Sequence, residues 1–457
     1  MPTLEETLAD QLHEALRLPA ADGGGLAMQA VLSPQRPADI AAAMRRMTMA
    51  EALGAFAWLS NQQAGEVLND IDPELTRYLI ENAPPARIAD VLDLMPSDNA
   101  AEVISEAGLS RTEDILRELE AQAPGDAEAV RALLAYPDRT AGRIMTHRFA
   151  SARPTTTAGV ILAILHRRAH ELDAVSNVYA TDPEGRLLGV ASIRDVLAAS
   201  ATATLAEIMT HEPVTVGPEE AQEEVARAIA RYDLSALPVV DSDGLLLGIV
   251  TVDDAMDVVV EELSEDFFRF AGSDADEMDR RTPAQVARLR LPWLMGTMAI
   301  ELGAGAVISR FDDVLVNVIL LASFMPVISA ISGNVGLQAA AIVVRGLDTG
   351  HVSLRHWGKQ VTKELSTSFL LALACALVLG TIGAIWSQHI PFGIVIGGAL
   401  LCSMMTAGMM GSIIPMLSKR LGFDPATTAG PFETAFQDVI GFAVFLWLAS
   451  LLQQWLV

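Results

Sequence analysis

From Val314 to Val344 the chain carries no Asp, Glu, Lys or Arg, and from Leu365 to Ser418 it again carries none. A bilayer core takes roughly 20 apolar residues per helix, so each stretch can cross a membrane at least once. A mean hydropathy of +0.35 over 457 residues is too apolar for an ordinary soluble protein, and the surplus sits in this C-terminal third. Five spans fit the pattern: Leu291 to Ile308, Leu315 to Val344, Leu365 to Trp386, Ile390 to Leu417 and Ala426 to Leu452. Basic residues cluster at Arg288/Arg290, at Arg345, Arg355, Lys359 and Lys363, and at Lys419/Arg420, while the alternate turns lack them. The positive-inside rule then puts the N-terminus in the cytosol and the C-terminus outside.

Charge divides at the same place. The net charge is −26, yet residues 284–457 are nearly balanced, with nine bases and eight acids, so an excess of 27 acids precedes residue 284. Such a surface repels nucleic acid and favours cations as partners. Cys375 and Cys402 both lie in apolar stretches and imply neither a disulfide framework nor a Cys-based metal site. The first ten residues lack a basic-then-apolar leader pattern, so the front half is expected to stay cytosolic.

Residues 1–135 read as short helices with Ala and Leu at helical spacing, punctuated by Ser60-Asn61, Asp72-Pro73, Pro84-Pro85 and Pro96-Ser97. Stacked helical hairpins in an α-superhelical domain are expected. A repeat follows over 136–260: Ile144-Met145-Thr146-His147 recurs as Ile208-Met209-Thr210-His211, each copy continuing through a helix, a strand, an Asp/Gly turn and a second strand. The two β-α-β-β-α units resemble a pair of CBS modules. Ser192 with Asp195, and Thr251 with Asp254, stand where that fold can hold a ribose and phosphate, so ATP at the pair is one expectation and a plain scaffold the other. Residues 261–284 form an acidic, polar connecting segment, continuous with a helix from Met256 to Arg281, and 285–457 form the five-helix membrane domain.

Polar groups at membrane depth mark a path for polar cargo. In the second span Pro326 and the glycines of Ser332-Gly333-Asn334-Val335-Gly336 weaken the helix, and carbonyls near 326–334 are expected to leave the ladder for a cation. In the fifth, Asp438 lies in an otherwise apolar run, where an unpaired carboxylate costs ~3 kcal/mol. A cation in an aqueous pore offsets that cost; a protonated Asp438 in a closed bundle is the alternative. Glu433 stands about 140° around the helix from Asp438 and is expected near the cytosolic mouth. Glu301 in the first span has no assigned role. Two-fold symmetry would bring two copies of Asp438 and Asn334 to one axis, and Mg²⁺, which keeps its water and takes few carboxylates, suits such a site, though chemistry alone would also admit Mn²⁺, Co²⁺ or Ca²⁺.

The segment Pro326 to Gln338, and Asp424-Pro425-Ala426 through Gly430-Pro431 to Asp438, resemble the two pore motifs of the MgtE magnesium channel family, and the domain order agrees along nearly the whole chain. The resemblance implies a homodimer in a cytoplasmic membrane, with lipid and divalent cations as partners. It implies an ion-selecting Asp438 ring assisted by Asn334, Gly333, Pro326 and Gly430, and an acidic plug helix at the cytosolic mouth. It further implies regulatory Mg²⁺ ligands among Glu223, Asp233, Asp254, Asp257, Glu262, Glu265, Asp266 and Asp424, joined by Glu66 and Asp98 of the N-terminal domain. The chain departs from the family pattern at Gly430, Arg231, Glu433 and Glu301. A proton-coupled divalent cation exchanger and a nucleotide-sensing receptor are the competing readings. No phosphate-binding loop, metal-hydrolase His pair or nucleophile elbow supports an enzyme.

Overall fold

Caps and prolines divide the N-terminal region into short helices, as their spacing demands. Thr48 and Glu51 close a reciprocal capping box on Met49–Phe56, the Asp72 carboxylate accepts from the Leu75 amide at 2.9 Å, and Pro73 and Pro85 each occupy a first turn. The computed structural model describes residues 4–17, 24–168, 172, 174–270 and 283–456. Its first unit, Met1–Glu262, begins with helices from Leu4–Arg17 to Pro124–Leu134 that bury one face each, as Ile88, Ala89, Val91 and Leu92 do on Pro85–Leu92. Their core continues without a break into Val225, Ile229, Leu237 and Val250 of the second repeat copy.

Six strands build the two copies: β1 (Phe149–Ala152), β2 (Ala174–Thr181), β3 (Leu187–Ser192), β4 (Thr210–His211), β5 (Ala236–Val240) and β6 (Leu246–Thr251). The first four make one sheet in that order, β1 parallel to β2 and the rest antiparallel, while β5 and β6 pair antiparallel. Gly185 and Gly244, at φ +90° and +81°, supply the left-handed turn residue in each copy. The Ile-Met-Thr-His motifs are exchanged between copies. Thr210 of the second pairs with Val190 of the first, and Thr146 of the first trades hydrogen bonds of 2.8 and 3.0 Å with Ile249 of the second. Met209 lies over Gly189 and Met145 over Gly248, where any larger residue would collide.

An acidic helix, Val252–Phe270, leaves β6 directly and runs past residue 260. Residues 271–282, expected to continue it, lie outside the described residues.

The second unit, Leu263–Val457, carries five helices long and apolar enough to cross a membrane: Pro283–Ser309, Leu320–Leu347, Trp357–Ser387, Ile390–Leu421 and Pro425–Leu451. The fourth packs against the second, third and fifth, and the first packs against the fifth. Two expectations need correction. Helix Leu320–Asp348 passes through Pro326 and Gly333 without a break; its packing against the fourth and fifth spans offsets the backbone hydrogen bond that Pro326 removes. The interruption falls instead in the fifth span, where Gly430 (φ −90°, ψ −101°) separates Pro425–Ala429 from Pro431–Leu451.

Candidate functional site

Three membrane helices converge on Asp438. Ser329, from the second span, donates its hydroxyl to Asp438 Oδ1 at 2.6 Å. Glu301, from the first span, brings its carboxyl within hydrogen-bonding reach of the same group, and the neighbouring Gly303 faces Val439 along the same seam. Two carboxyls and a hydroxyl, all oxygen, from three helices are a donor set for a hard cation. Asn334 is exposed on the second span and, among the described residues, has no hydrogen-bond partner. Gly333 is buried against Thr434 and Gln437 of the fifth span.

A second polar group lies beside this one. The Gln437 amide donates to Ser332 Oγ at 2.6 Å and to Ser403 Oγ at 3.2 Å, Ser403 reaches Ser332 at 3.0 Å, and Ser332 donates to the Ile328 carbonyl at 2.5 Å. With Nε2 committed to the serines, Gln437 Oε1 is buried and unmatched. Glu433 is 0% exposed, and neither carboxylate oxygen accepts a hydrogen bond of normal geometry, although Thr434 stands beside it. It does not reach an aqueous mouth: the break at Gly430 sets it in the first turn of Pro431–Leu451 and turns it inward, against Gly336, where a Cβ would overlap its oxygens.

The proposed regulatory acids fall in two places. In the first unit, Asp254 and Asp257 on the acidic helix face the N-terminal domain's Glu102 and Asp70, and Asp70 also feels Glu66. Burial, then the charge of Asp253, raises Asp257; burial, then Glu261, Asp257, Glu106 and Asp254, raises Glu102. Burial pushes Asp254 up to about 6 despite its hydrogen bond from Thr251. Asp98 is buried in the first turn of Ser97–Ser105. Other members of the set are engaged elsewhere: Glu223 pairs with Arg227 at 3.0 Å, Glu262 accepts from Gln222 at 3.2 Å, and Asp233 caps its helix in the left-handed region at φ 52°. Among the described residues no three His, Cys, Asp or Glu side chains gather closely enough to hold a metal.

In the second unit Glu265 and Asp424 share a cation already present in the chain. Arg269 contacts Asp424 Oδ2 at 3.0 Å and Glu265 through its other nitrogen. The Asp266 side chain lies outside the described residues. Sequence reasoning missed Arg269, Glu102, Ser329 and Gln437; the first two stand four residues beyond acids already singled out, Glu265 and Asp98, which was the available signal.

The hydroxyl–acid pairs of the repeat copies serve as helix caps. Ser192 Oγ donates to Asp195 at 2.6 Å and accepts from its amide at 3.1 Å, whereas Thr251 donates both its hydroxyl and its backbone N–H, the latter at 3.3 Å, to Asp254 Oδ2. Asp195 remains exposed, Asp254 half-buried.

Residues 325–448 match the MgtE profile, described as a divalent cation transporter; residues 35–139 match the MgtE intracellular N domain; and 141–202 and 205–261 each match the CBS domain. The magnesium transporter MgtE of Enterococcus faecalis is 33% identical over 447 residues, covering 91% of this chain and 96% of that protein. The magnesium transporter MgtE of Thermus thermophilus is 32% identical over 458 residues, covering 98% and 99%. A crystal structure of the soluble part of a magnesium transporter is 28% identical, covers 56% of this chain and 99% of its own, and superposes with a TM-score of 0.50.

Proposed function

Because the chain belongs to the MgtE family of divalent cation transporters, we propose that it is a Mg²⁺ channel for uptake across the cytoplasmic membrane, closed by Mg²⁺ on its cytosolic side. The observation that carries this reading is the meeting of Asp438, Ser329 and Glu301 among apolar helices. An oxygen-only set at that depth is costly unless a cation visits it, and Mg²⁺ passing with part of its water bound needs few direct ligands. A homodimer, with the N-termini cytosolic and the C-termini outside, would double the set around an axis and bring the exposed Asn334 toward it. Pro326, Gly333 and Gly430 then shape the helices that carry these groups.

Closure by Mg²⁺ rests on electrostatics. Residues 1–135 and 136–260 carry the facing acids Glu66, Asp70 and Glu102, and Asp254 and Asp257, and the connecting segment 261–284 carries Glu261, Glu262, Glu265 and Asp266. Their repulsion favours separation, and a divalent ion offsets it. Adenine nucleotide at the CBS pair is a further part of the proposal, supported by the exposed Asp195; an Asp195→Ala chain should then lose ATP heat in calorimetry.

Liposomes carrying the full chain test the main reading. Mg²⁺ entry should vanish with Asp438→Ala and fall as Mg²⁺ rises on the cytosolic-domain side. Unchanged entry in that variant removes Asp438 from the path, and entry that requires a proton gradient makes the protein an exchanger.

A further inference from the structure

Where the second and third spans approach their shared loop, a recess of about 550 Å³ opens, with Ile342, Arg345, Thr349, His351, Gln360 and Lys363 in its wall. We propose that this recess binds the phosphate-bearing headgroup of an anionic membrane lipid. Arg345 is the first charge after the neutral stretch Val314 to Val344, and Lys363 is the last base before Leu365 to Ser418, so both cations stand at the membrane edge. Among the described residues neither has an ion-pair partner. The acid next to Lys363 in sequence, Glu364, is buried and takes the Gln360 amide at 3.1 Å. Thr349 donates to the Arg345 carbonyl at 2.8 Å and stands 2.9 Å from His351 Nδ1, which fixes the rim. A guanidinium and an ammonium lining one open space complement a phosphate.

The apolar part of the wall selects a lipid over a free anion. Ile342 is 53% exposed on the same face as Arg345 and lines the recess with Ala341 and Val352, while Trp357, outside the wall, is 51% exposed at the start of the third span. A soluble phosphate gains nothing from the apolar wall, whereas an acyl chain can lie along Ile342 while its headgroup meets the bases.

The test uses the full chain in mixed micelles of phosphatidylglycerol and phosphatidylcholine, reading co-purified lipid by native mass spectrometry. Arg345→Gln with Lys363→Gln should cut phosphatidylglycerol retention by ~10-fold or more, at roughly 1 kcal/mol per base. Arg355→Gln with Lys359→Gln removes the same charge at the same membrane edge but outside the recess, and should leave retention near wild type. Equal loss in both doubles, or none in either, overturns the proposal. Excess inorganic phosphate that displaces the lipid would make the ligand a soluble anion and overturn it also. Should the first double fail to fold, a photoreactive phosphatidic acid on the wild-type chain decides: label on residues 341–363 supports the recess, and label confined elsewhere refutes it.

Discussion

Glu433 is the residue whose surroundings contradict ordinary chemistry most plainly. It is an ionisable group with no exposure, two unmatched oxygens and the backbone of Gly336 pressed against it, with the unmatched Gln437 Oε1 one helical turn away. Replacing Glu433 by Gln supplies an amide donor at nearly constant shape. Thermal melting of the full chain in detergent should rise, by an amount corresponding to about 1 kcal/mol, the usual worth of one restored hydrogen bond. Gly336→Ala should do the reverse, because its methyl must displace the carboxyl, at a cost of about 1–3 kcal/mol. A Glu433→Gln chain that melts lower would mean that the carboxylate has a partner of its own. At this scale the sequence was informative about type and poor about direction. Asp438 stood out as a charge in an apolar run, but the inward turn of Glu433 depends on the interruption at Gly430, which no periodicity reveals.

Among the elements, the acidic helix Val252–Phe270 carries an ion-pair cluster in its last turn. Arg269 holds Glu265 and Asp424 together in the second unit, as a divalent ion would. Arg269→Ala removes the cation shared by Glu265 and Asp424. Amides 263–270 should then exchange several-fold faster in hydrogen–deuterium exchange, and Mg²⁺ should restore protection more in the variant than in the wild type. No change on substitution would show that the pair adds nothing to the helix end. Element boundaries were legible where punctuation is chemical: Asp72-Pro73 and Pro84-Pro85 start helices, and the Asp/Gly turns close strands. They were illegible where packing overrides propensity, as at Pro326, which lies inside a continuous helix packed against the fourth and fifth spans.

For the molecule as a whole, the acid excess before residue 284 predicts a pH response. Asp254 has a folded value near 6 against an ordinary 3.8, so its burial destabilises the fold once it ionises. Its sign follows from linkage: the stability is fully present below about 3.8 and is lost as pH rises through about 6. Glu102 and Asp257, raised in the same direction, add to it. A fragment ending at Phe270, freed of Mg²⁺, should therefore melt higher at pH 5 than at pH 7, with Asp254→Asn flattening the difference; a melting point that falls on acidification would reverse the assignment. The architecture was readable from charge-free lengths, the acid imbalance and the repeated Ile-Met-Thr-His. Which acids face each other was not, since that depends on how the N-terminal helices stack on the second repeat copy.

The exchanged Ile-Met-Thr-His motifs bear on inheritance. Because Met145 seals the strand of the second copy and Met209 that of the first, a recombination event that transplants one copy alone would leave both donor and recipient with an open seam. Gene shuffling should therefore move these modules only as a pair.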